Sequence, residues 1–125
     1  MKEYKWVPQT KTEDGKDIFK GYITLKIPPS KKRVEYISQI QFEVDRDGKV
    51  QTTTKQFDQF AKMEEIAKEY VSGFQLVHIE SGIDITSWED LDPLAEYMVL
   101  VGQIANTILS GIKLGEIYAE RSKSK

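Results

Sequence analysis

The sequence contains no cysteine and only one histidine, His78. The absence of cysteine excludes disulfide frameworks, thiolate zinc sites and cysteine nucleophiles, and it leaves the redox compartment undetermined. Neither sign of charge dominates, because 18 basic and 20 acidic residues give a net charge of −2. This balance argues against a nucleic-acid-binding domain, which usually has a strong basic excess. The 125 residues suffice for one hydrophobic core but not for two.

Long apolar runs are missing as well. The longest uncharged stretch, residues 97–112, is too short to cross a bilayer and includes polar side chains such as Gln103 and Asn106. The first ten residues mix acidic and basic side chains and lack the apolar region of a signal peptide. We therefore expect a cytoplasmic protein that does not bind a membrane.

Aromatic and β-branched residues predict two β-hairpins. Residues 4–7 and 18–27 are rich in these side chains, and the Asp14-Gly15 pair between them is typical of a tight turn. In the second of these segments apolar and polar residues alternate, which predicts one apolar and one polar face. Residues 75–86 predict a second hairpin around a central Ser-Gly pair.

Apolar residues at helical spacing predict three main α-helices. The first begins at Ser30, a suitable N-cap that follows two prolines. The second follows the polar loop 45–54 and ends at Gly73, and the third covers residues 93–110 and ends at Gly111 in a Schellman motif. The residues expected to face the core from these helices are Val34, Ile37, Ile40, Val44, Phe57, Phe60, Ala61, Ala67, Tyr70, Val71, Phe74, Leu94, Tyr97, Met98, Val101, Ile104, Ala105, Ile108 and Leu109.

Local signals add detail to the carboxyl half and to the loop. Ser87 is predicted to cap a short acidic segment, and Asp92 is predicted to cap the third helix. Gly102, inside that helix, is predicted to permit the close approach of another backbone. The loop 45–54 is not an EF-hand, because Thr54 stands where a calcium loop needs a glutamate.

The order of elements predicts an α+β fold. Small antiparallel β-hairpins pack with about three main α-helices in the order hairpin, helix, loop, helix, hairpin, helix. We assign residues 1–115 to a single domain with an N-terminal β-hairpin. Residues 116–125 form a charged tail that we expect to fray.

No pattern of residues indicates an enzyme. The sequence has no Walker loop, no G-x-G-x-x-G after a strand and no G-x-S-x-G elbow. His78 has no cysteine to join it at a zinc ion, and a one-histidine metal site with Glu80 or Asp84 is the weaker interpretation. We therefore expect a protein without enzymatic activity, cofactor or metal.

Binding through apolar or aromatic surface is the remaining possibility. Trp88 and Trp6 lead the candidates, because tryptophan dominates interface hot spots. The alternative is that Trp88 only covers the core below the second hairpin. If the fold buries only part of the last helix, its apolar face would serve a partner or a second copy of the chain in a homo-oligomer. The predicted partner-binding residues are Trp88, Tyr97, Val101, Ile104, Ile108, Ile112 and Leu114.

Two stretches resemble a known family. GYITLKIPPSKKRVEYI, residues 21–37, is a strand that breaks at prolines into a basic helix start. VSGFQLVHIESGIDITSWEDLD, residues 71–92, and LAEYMVLVGQIANTILSGIKLG, residues 94–115, form the second stretch. This order of features resembles the tail assembly chaperones of long-tailed, siphovirus-type bacteriophages and prophages.

The resemblance implies a non-enzymatic chaperone that takes part in virion assembly. Such a protein binds and solubilises the phage tape measure protein and helps recruit subunits of the tail-tube protein. It acts in the cytoplasm of the bacterial host and is not expected in the mature virion. Family members are often made in a short and a frameshift-extended form, and this chain would correspond to the short form.

Two alternatives stay open. The first is a phage or prophage structural or head–tail joining component, which would persist in purified virions. The second is a small DNA-binding regulator that uses Lys31, Lys32 and Arg33 at the start of the first helix. The net charge of the chain argues against the second alternative, and we expect no nucleic-acid partner.

Overall fold

The computed structural model describes residues 1–41, 53–112 and 117. In this part of the chain a four-stranded antiparallel sheet is combined with four helices, which confirms the predicted α+β fold. The elements in chain order are β1 (Glu3–Trp6), β2 (Phe19–Lys26), α1 (Ser30–Gln41), α2 (Thr53–Tyr70), β3 (Val71–His78), β4 (Ile83–Ile85), α3 (Trp88–Leu91) and α4 (Tyr97–Ser110). The strands lie in the order β1-β2-β3-β4, so β1 and β4 are at opposite edges of the sheet.

A row of large apolar side chains crosses the sheet on its core face. Trp6 pairs with Ile23, and Ile23 pairs with Phe74, so the three lie side by side across β1, β2 and β3. All three are buried, as are the paired Leu76 and Ile85 nearer the other edge. Because burying one such side chain contributes about 1.5–3 kcal/mol, this face holds the sheet against the helices.

The opposite face of the sheet is polar. Lys20 and Gln75 are exposed there, and Tyr22 and Thr24 are half-buried. The predicted alternation in residues 18–27 is therefore confirmed. The sheet has one face toward the core and one toward solvent, as antiparallel sheets commonly do.

Gly21 has a position in β2 that only glycine can occupy. Its φ is +110°, and a Cβ atom at this position would lie 2.0 Å from the carbonyl oxygen of Gln75 on β3. Any side chain would therefore push β2 away from β3, the longest pairing in the sheet. This constraint was not visible in the sequence pattern.

Helix α4 lies at the centre of the core. Leu100, Val101, Ile104, Ala105 and Ile108 are completely buried. All of them except Ala105 belong to the same cluster as the buried side chains of α2 and of the sheet. Mutual packing with α2 and the sheet, more than intrinsic helix propensity, therefore stabilises α4.

The boundary between α2 and β3 differs from the prediction. The helix ends at Tyr70 and β3 begins at Val71, so Gly73 and Phe74 lie in a strand and not at a helix end. Val71 to Phe74 continue the helical spacing in the sequence, but they also suit a strand, and pairing with β2 decides between the two.

The caps of the last two helices agree with the prediction only in part. Ser87 is the N-cap of α3, as predicted, and its backbone is extended, but its side chain makes no capping hydrogen bond. Instead, the backbone N–H of Thr86 donates to the carboxylate of Asp90 over 3.0 Å. Asp92 ends α3 by donating its N–H to the carbonyl of Trp88. It does not cap α4, which begins at Tyr97 with Glu96 as its N-cap.

Three apolar predictions on the helices are wrong. Val34 and Met98 are 60% and 55% exposed, and Ala61 is exposed as well. On α1 the buried side chain is Tyr36, whose hydroxyl contacts the Tyr70 hydroxyl over 3.1 Å and donates to Glu69 over 2.8 Å. These polar partners on α2 turn Tyr36, and not Val34, toward the core.

Two glycines of α4 have different roles from those predicted. A Cβ on Gly102 would meet only the Cε of Met63, at 3.8 Å, so no second backbone approaches it closely. Gly111 ends the helix with a φ of +94°, which suits glycine, but its ψ of 169° is not that of a Schellman motif.

Several predictions fall outside the described residues. They concern Val44, the side chain of Phe57, most of the loop 45–54, the end of the domain at residue 115 and the tail 116–125. Ile117 is described and forms an antiparallel bridge with Trp6. Among the described residues no helix is both long enough and apolar enough to cross a membrane.

Candidate functional site

The apolar stripe of α4 is not an accessible binding surface in the folded monomer. Tyr97 is 8% exposed, and Val101, Ile104 and Ile108 are completely buried. The interpretation of these four residues as partner-binding is therefore corrected. These four side chains belong to the cluster that α4 forms with α2 and the sheet, so they serve the core.

Of the other predicted partner-binding residues, two lie within the described part of the chain and one does not. Trp88 and Ile112 are half-buried and pack against the core, and each keeps a part of its surface open to solvent. Leu114 lies outside the described residues. Trp6, the other tryptophan, is buried in β1.

Trp88 lies between aromatic rings beside a small pocket. Its ring makes T-shaped contacts with Phe74, at 4.9 Å between centroids, and with Tyr97, at 6.5 Å. The Nζ atom of Lys68 lies 5.9 Å from the Trp88 ring centroid. A pocket of about 240 Å³ opens here, lined by Lys68, Trp88, Glu89, Asp92 and Tyr97. Trp88 thus covers the core and also forms part of the surface.

The floor of this pocket is held by polar contacts. The hydroxyl of Tyr97 donates a hydrogen bond to Glu64, and Lys68 pairs with the same carboxylate over 3.9 Å. Burial and the hydrogen bond to Glu64 raise the pKa of Tyr97 above its ordinary value. The neutral phenol therefore stays in place, with its ring fixed against Trp88.

An apolar groove runs between α1, α2 and α4. It has a volume of about 280 Å³, and its apolar lining comes from all three helices: Ile37 and Ile40 of α1, Met63 of α2 and Leu109 of α4. Asn106 and Ser110 add polar groups to the lining. These positions are too far apart in the sequence to be recognised as one surface.

The flank of α4 that carries Leu109 extends beyond the groove toward the start of the helix. Met98 and Gly102 are one helical turn apart on the flank that also carries Leu109. Met98 is exposed, and Gly102 has no side chain and leaves room for Met63. The result is an apolar surface with adaptable methionines and little obstruction, suited to the apolar face of another helix.

His78 belongs to a hydrogen-bond chain that the sequence did not reveal. Its Nδ1 lies 2.7 Å from the Ser81 hydroxyl, and its Nε2 lies 3.1 Å from a carboxylate oxygen of Glu96. An ionised carboxylate only accepts hydrogen bonds, so in the neutral ring Nε2 carries the proton and Nδ1 accepts from Ser81. Glu96 is 18 positions away, which is why no local motif indicated it.

The backbone amides beside this serine–histidine–carboxylate chain are engaged within the β3–β4 turn. The amide N–H groups that follow Ser81 are already used: Gly82 donates to the carbonyl of His78 over 2.7 Å, and Ile83 donates to the Ser81 hydroxyl over 3.3 Å. They are not available to stabilise an oxyanion. The arrangement instead ties the β3–β4 turn to the start of α4.

In the part of the chain that the structure describes, the arrangement around His78 does not include a metal site. Both ring nitrogens are engaged in the hydrogen bonds to Ser81 and Glu96. Among the described residues no three histidine, aspartate or glutamate side chains lie close enough together to hold a metal ion.

The basic start of α1 does not form a continuous cationic surface. Lys31 is exposed, whereas Lys32 pairs with Glu35 over 3.7 Å. The Arg33 guanidinium points to the end of α4, where a Cβ on Gly111 would lie 2.8 Å from its Nη1 atom. Since α4 has no basic residue in its last turn, Arg33 stabilises the negative end of that helix dipole. This division of roles weakens the DNA-binding alternative.

Comparisons with known protein families, with curated proteins and with solved structures find no match for this chain. A functional assignment therefore depends on the residues and their arrangement.

Proposed function

We propose that this protein is a non-enzymatic tail assembly chaperone of a long-tailed bacteriophage or prophage. It binds and solubilises an apolar helix of the tape measure protein and helps recruit tail-tube subunits in the host cytoplasm. The resemblance of residues 21–37 and 71–115 to this family supports the proposal. The structural observation that carries it is the apolar groove between α1, α2 and α4.

The groove suits a helical client for three reasons. Its lining comes from three helices, so a ligand helix can lie along the flank of α4 and contact α1 and α2. Met63 and Met98 can adapt to different apolar side chains, which a chaperone for a long and varied client needs. Asn106 and Ser110 provide hydrogen-bonding groups beside the apolar lining, which favours reversible binding over permanent burial.

The chemistry of the His78 region supports a non-enzymatic role. Ser81 is the one serine that the described residues place against the histidine, and its neighbouring amide groups are occupied. A nucleophile without a free oxyanion-binding group has little catalytic power. The same hydrogen bonds are well suited to keeping the β3–β4 turn in place.

The test is co-expression of this chain with the tape measure protein encoded in its own genomic neighbourhood. We expect the wild-type chain to keep the tape measure protein in the soluble fraction and to copurify with it. The Gly102→Leu variant should lower the recovery about tenfold, equivalent to about 1.4 kcal/mol of binding free energy, because leucine would project toward Met63, which lines the groove. Replacing a helical glycine also avoids a loss of stability.

The matched control is Gly73→Leu. Gly73 has open space around its Cβ position, as Gly102 nearly has, but it lies in β3 on the polar side of the sheet. This variant should recover as much tape measure protein as the wild type. If Gly102→Leu recovered as much tape measure protein as the wild type, the groove would be excluded as the client site. If the wild-type chain failed to retain the tape measure protein, the chaperone function would be contradicted.

A separate measurement addresses the structural-component alternative. Purified virions should lack this chain when analysed by mass spectrometry, because a chaperone leaves before the tail is complete. Detection of the chain at a stoichiometry similar to that of the tail proteins would favour a head–tail joining or other structural component.

A further inference from the structure

Helix α4 carries no charged side chain on any face. Residues 97–112 contain no aspartate, glutamate, lysine or arginine, although these four residue types make up 30% of the chain. The core-facing side of the helix is buried, whereas Met98, Asn106 and Ser110 are exposed. The wall that α4 contributes to the groove between α1, α2 and α4 is therefore uncharged.

Charged residues on the other two walls of the groove are paired within their own helices. On α1, Lys32 pairs with Glu35 over 3.7 Å. On α2, Lys62 pairs with Glu65, also over 3.7 Å. A charged side chain that entered the groove would lose its water and would meet no unpaired opposite charge among these residues, which is costly. The groove therefore favours an uncharged occupant.

The polar groups that line the groove are on one wall. Four of its lining side chains are apolar, and the two polar ones, Asn106 and Ser110, both belong to α4. These two residues are one helical turn apart, and the Ser110 hydroxyl donates to the side-chain carbonyl of Asn106 over 3.4 Å. The groove therefore combines an apolar lining with a single polar position.

Asn106 has hydrogen-bonding capacity that the fold does not use. Its side-chain NH2 group forms no hydrogen bond with the part of the chain that the structure describes, and its carbonyl oxygen has a second lone pair besides the one that Ser110 uses. By contrast, the side-chain carbonyl of Gln103, about one turn earlier, accepts a hydrogen bond from Thr10 over 2.8 Å inside the fold. Of the two carboxamides of α4, Asn106 is the one that is available to a ligand.

A helix that covers Asn106 has to supply new partners for its amide group. An apolar side chain placed over Asn106 would leave a donor and an acceptor unsatisfied, and this has a cost in free energy. An asparagine or glutamine side chain provides the matching acceptor and donor on two separate atoms, so that two carboxamides can pair reciprocally. In coiled coils a single buried asparagine fixes the register of the helices by the same physical effect.

We propose that the groove selects client helices whose apolar face contains one asparagine or glutamine, and that Asn106 sets the register of the bound helix by pairing with that side chain. This inference rests on the proposed function, and it names the class of tape measure helix that the groove takes. Ile37, Met63 and Leu109 supply the apolar contact. Asn106 supplies the specificity, because it is the one polar position whose partner is missing in the free protein.

The first measurement uses overlapping peptides of about 20 residues from the tape measure protein encoded near this chain. A helix of that length spans about 30 Å, more than the length of the 14-residue α4. Each labelled peptide is titrated with the full chain and followed by fluorescence anisotropy. The peptides that bind should have an uncharged apolar face interrupted by one asparagine or glutamine.

The outcomes of this titration separate the selection rule from the chaperone function. Equal binding by peptides that lack such a carboxamide would overturn the selection rule and would leave the chaperone function intact. If no peptide bound while co-expression still kept the tape measure protein soluble, the selection rule would again be overturned and the chaperone function would stand. Loss of solubility in the co-expression experiment would contradict both.

Paired substitutions then isolate the contribution of Asn106. In the peptide that binds most tightly the carboxamide is replaced by leucine, and in the protein the change is Asn106→Leu. Each replacement alone should weaken binding about tenfold, because it leaves the other amide group without a partner. The two together should restore the affinity to within about threefold of the original pair, because leucine then meets leucine. Equal affinities in all four combinations would show that Asn106 has no part in selection.

Moving the carboxamide within the peptide tests the register. A shift of one residue turns it by about 100° around the helix and away from Asn106, so this peptide should bind as weakly as the leucine peptide. Undiminished binding from the shifted position would contradict the register-setting role.

Gln75→Leu is the control variant for the protein. It makes a similar carboxamide-to-leucine change at an exposed position on the polar face of the sheet, outside the groove. This variant should bind every peptide as the wild type does, and a loss of discrimination in it would overturn the assignment to Asn106. Circular dichroism should show that both variants are folded, because Asn106 is exposed and leucine favours a helix more than asparagine does.

Discussion

Helices α1 and α4 both have an apolar stripe in the sequence, but the fold covers the two stripes differently. In α4, Leu100, Val101 and Ile104 are completely buried between α2 and the sheet. In α1, Val34 is mostly exposed and Tyr36 is the buried residue. The position of a helix in the fold therefore decides whether its apolar residues stabilise the core or remain available to a partner. A central helix buries its stripe, and a peripheral helix buries only one part of it.

The largest effect should come from shortening a side chain in the centre of α4. Ile104→Ala should lower the free energy of unfolding by about 2–5 kcal/mol, because it removes buried apolar area and leaves a cavity. Urea denaturation followed by circular dichroism measures this change. A loss below 1 kcal/mol, in the range typical of surface positions, would mean that α4 is less central than its burial indicates.

A smaller effect is expected at the buried residue of α1. Tyr36→Phe removes a hydroxyl that contacts Tyr70 and donates to Glu69, so the free energy of unfolding should fall by about 0.5–1.5 kcal/mol. The same urea titration measures it. A fall as large as that of Ile104→Ala would show that α1 is as central to stability as α4, and it would contradict the peripheral position assigned to α1.

Alkaline pH should weaken both helices through their tyrosines. The hydrogen bond to Tyr70, burial and the hydrogen bond to Glu69 raise the pKa of Tyr36, and burial and Glu64 raise that of Tyr97. Both groups are neutral in both states below their ordinary pKa of about 10, so their contribution is complete there. Above about pH 10 the unfolded chain loses these protons first, so stability falls as pH rises.

The alkaline loss can be divided between the two tyrosines. Urea midpoints between about pH 8 and about pH 11 should decline less steeply in Tyr36→Phe and in Tyr97→Phe than in the wild type. A decline that neither variant reduces would assign the alkaline sensitivity to other groups.

The smallest effect is expected at the exposed position of α1. Val34→Ala should leave the free energy of unfolding within about 0.5 kcal/mol of the wild-type value, because little apolar area is buried there and alanine favours the helix. A loss of more than 1 kcal/mol at low protein concentration would show that Val34 is covered in the monomer.

The sequence predicted those parts of the fold that depend on neighbouring residues. The alternation in residues 18–27 placed Ile23 and Leu25 on the core face correctly, and Ser30 and Gly111 marked helix ends near their observed positions. The choice between helix and strand after Tyr70 was not predictable in this way. It depends on pairing with β2, which is about fifty positions earlier in the chain.

The candidate sites were less accessible to prediction, because they are formed by distant residues. The groove combines Ile37, Met63 and Leu109, and the contact of His78 with Glu96 joins a strand to a helix. The apolar pattern of α4 was recognised correctly, but a pattern does not show what covers it. The aromatic surface at Trp88 was the predicted feature that remains partly open.

The direct passage from α2 into β3 has a mechanical consequence. Tyr70 is the last residue of the helix and Val71 is the first of the strand, so no residue between them can act as a hinge. A rotation of α2 about its axis would have to change the register of β3, whose position is fixed by the close approach of Gly21 to Gln75. The groove wall that Met63 provides is therefore held in place before any ligand arrives, and binding there requires little reorganisation of the backbone.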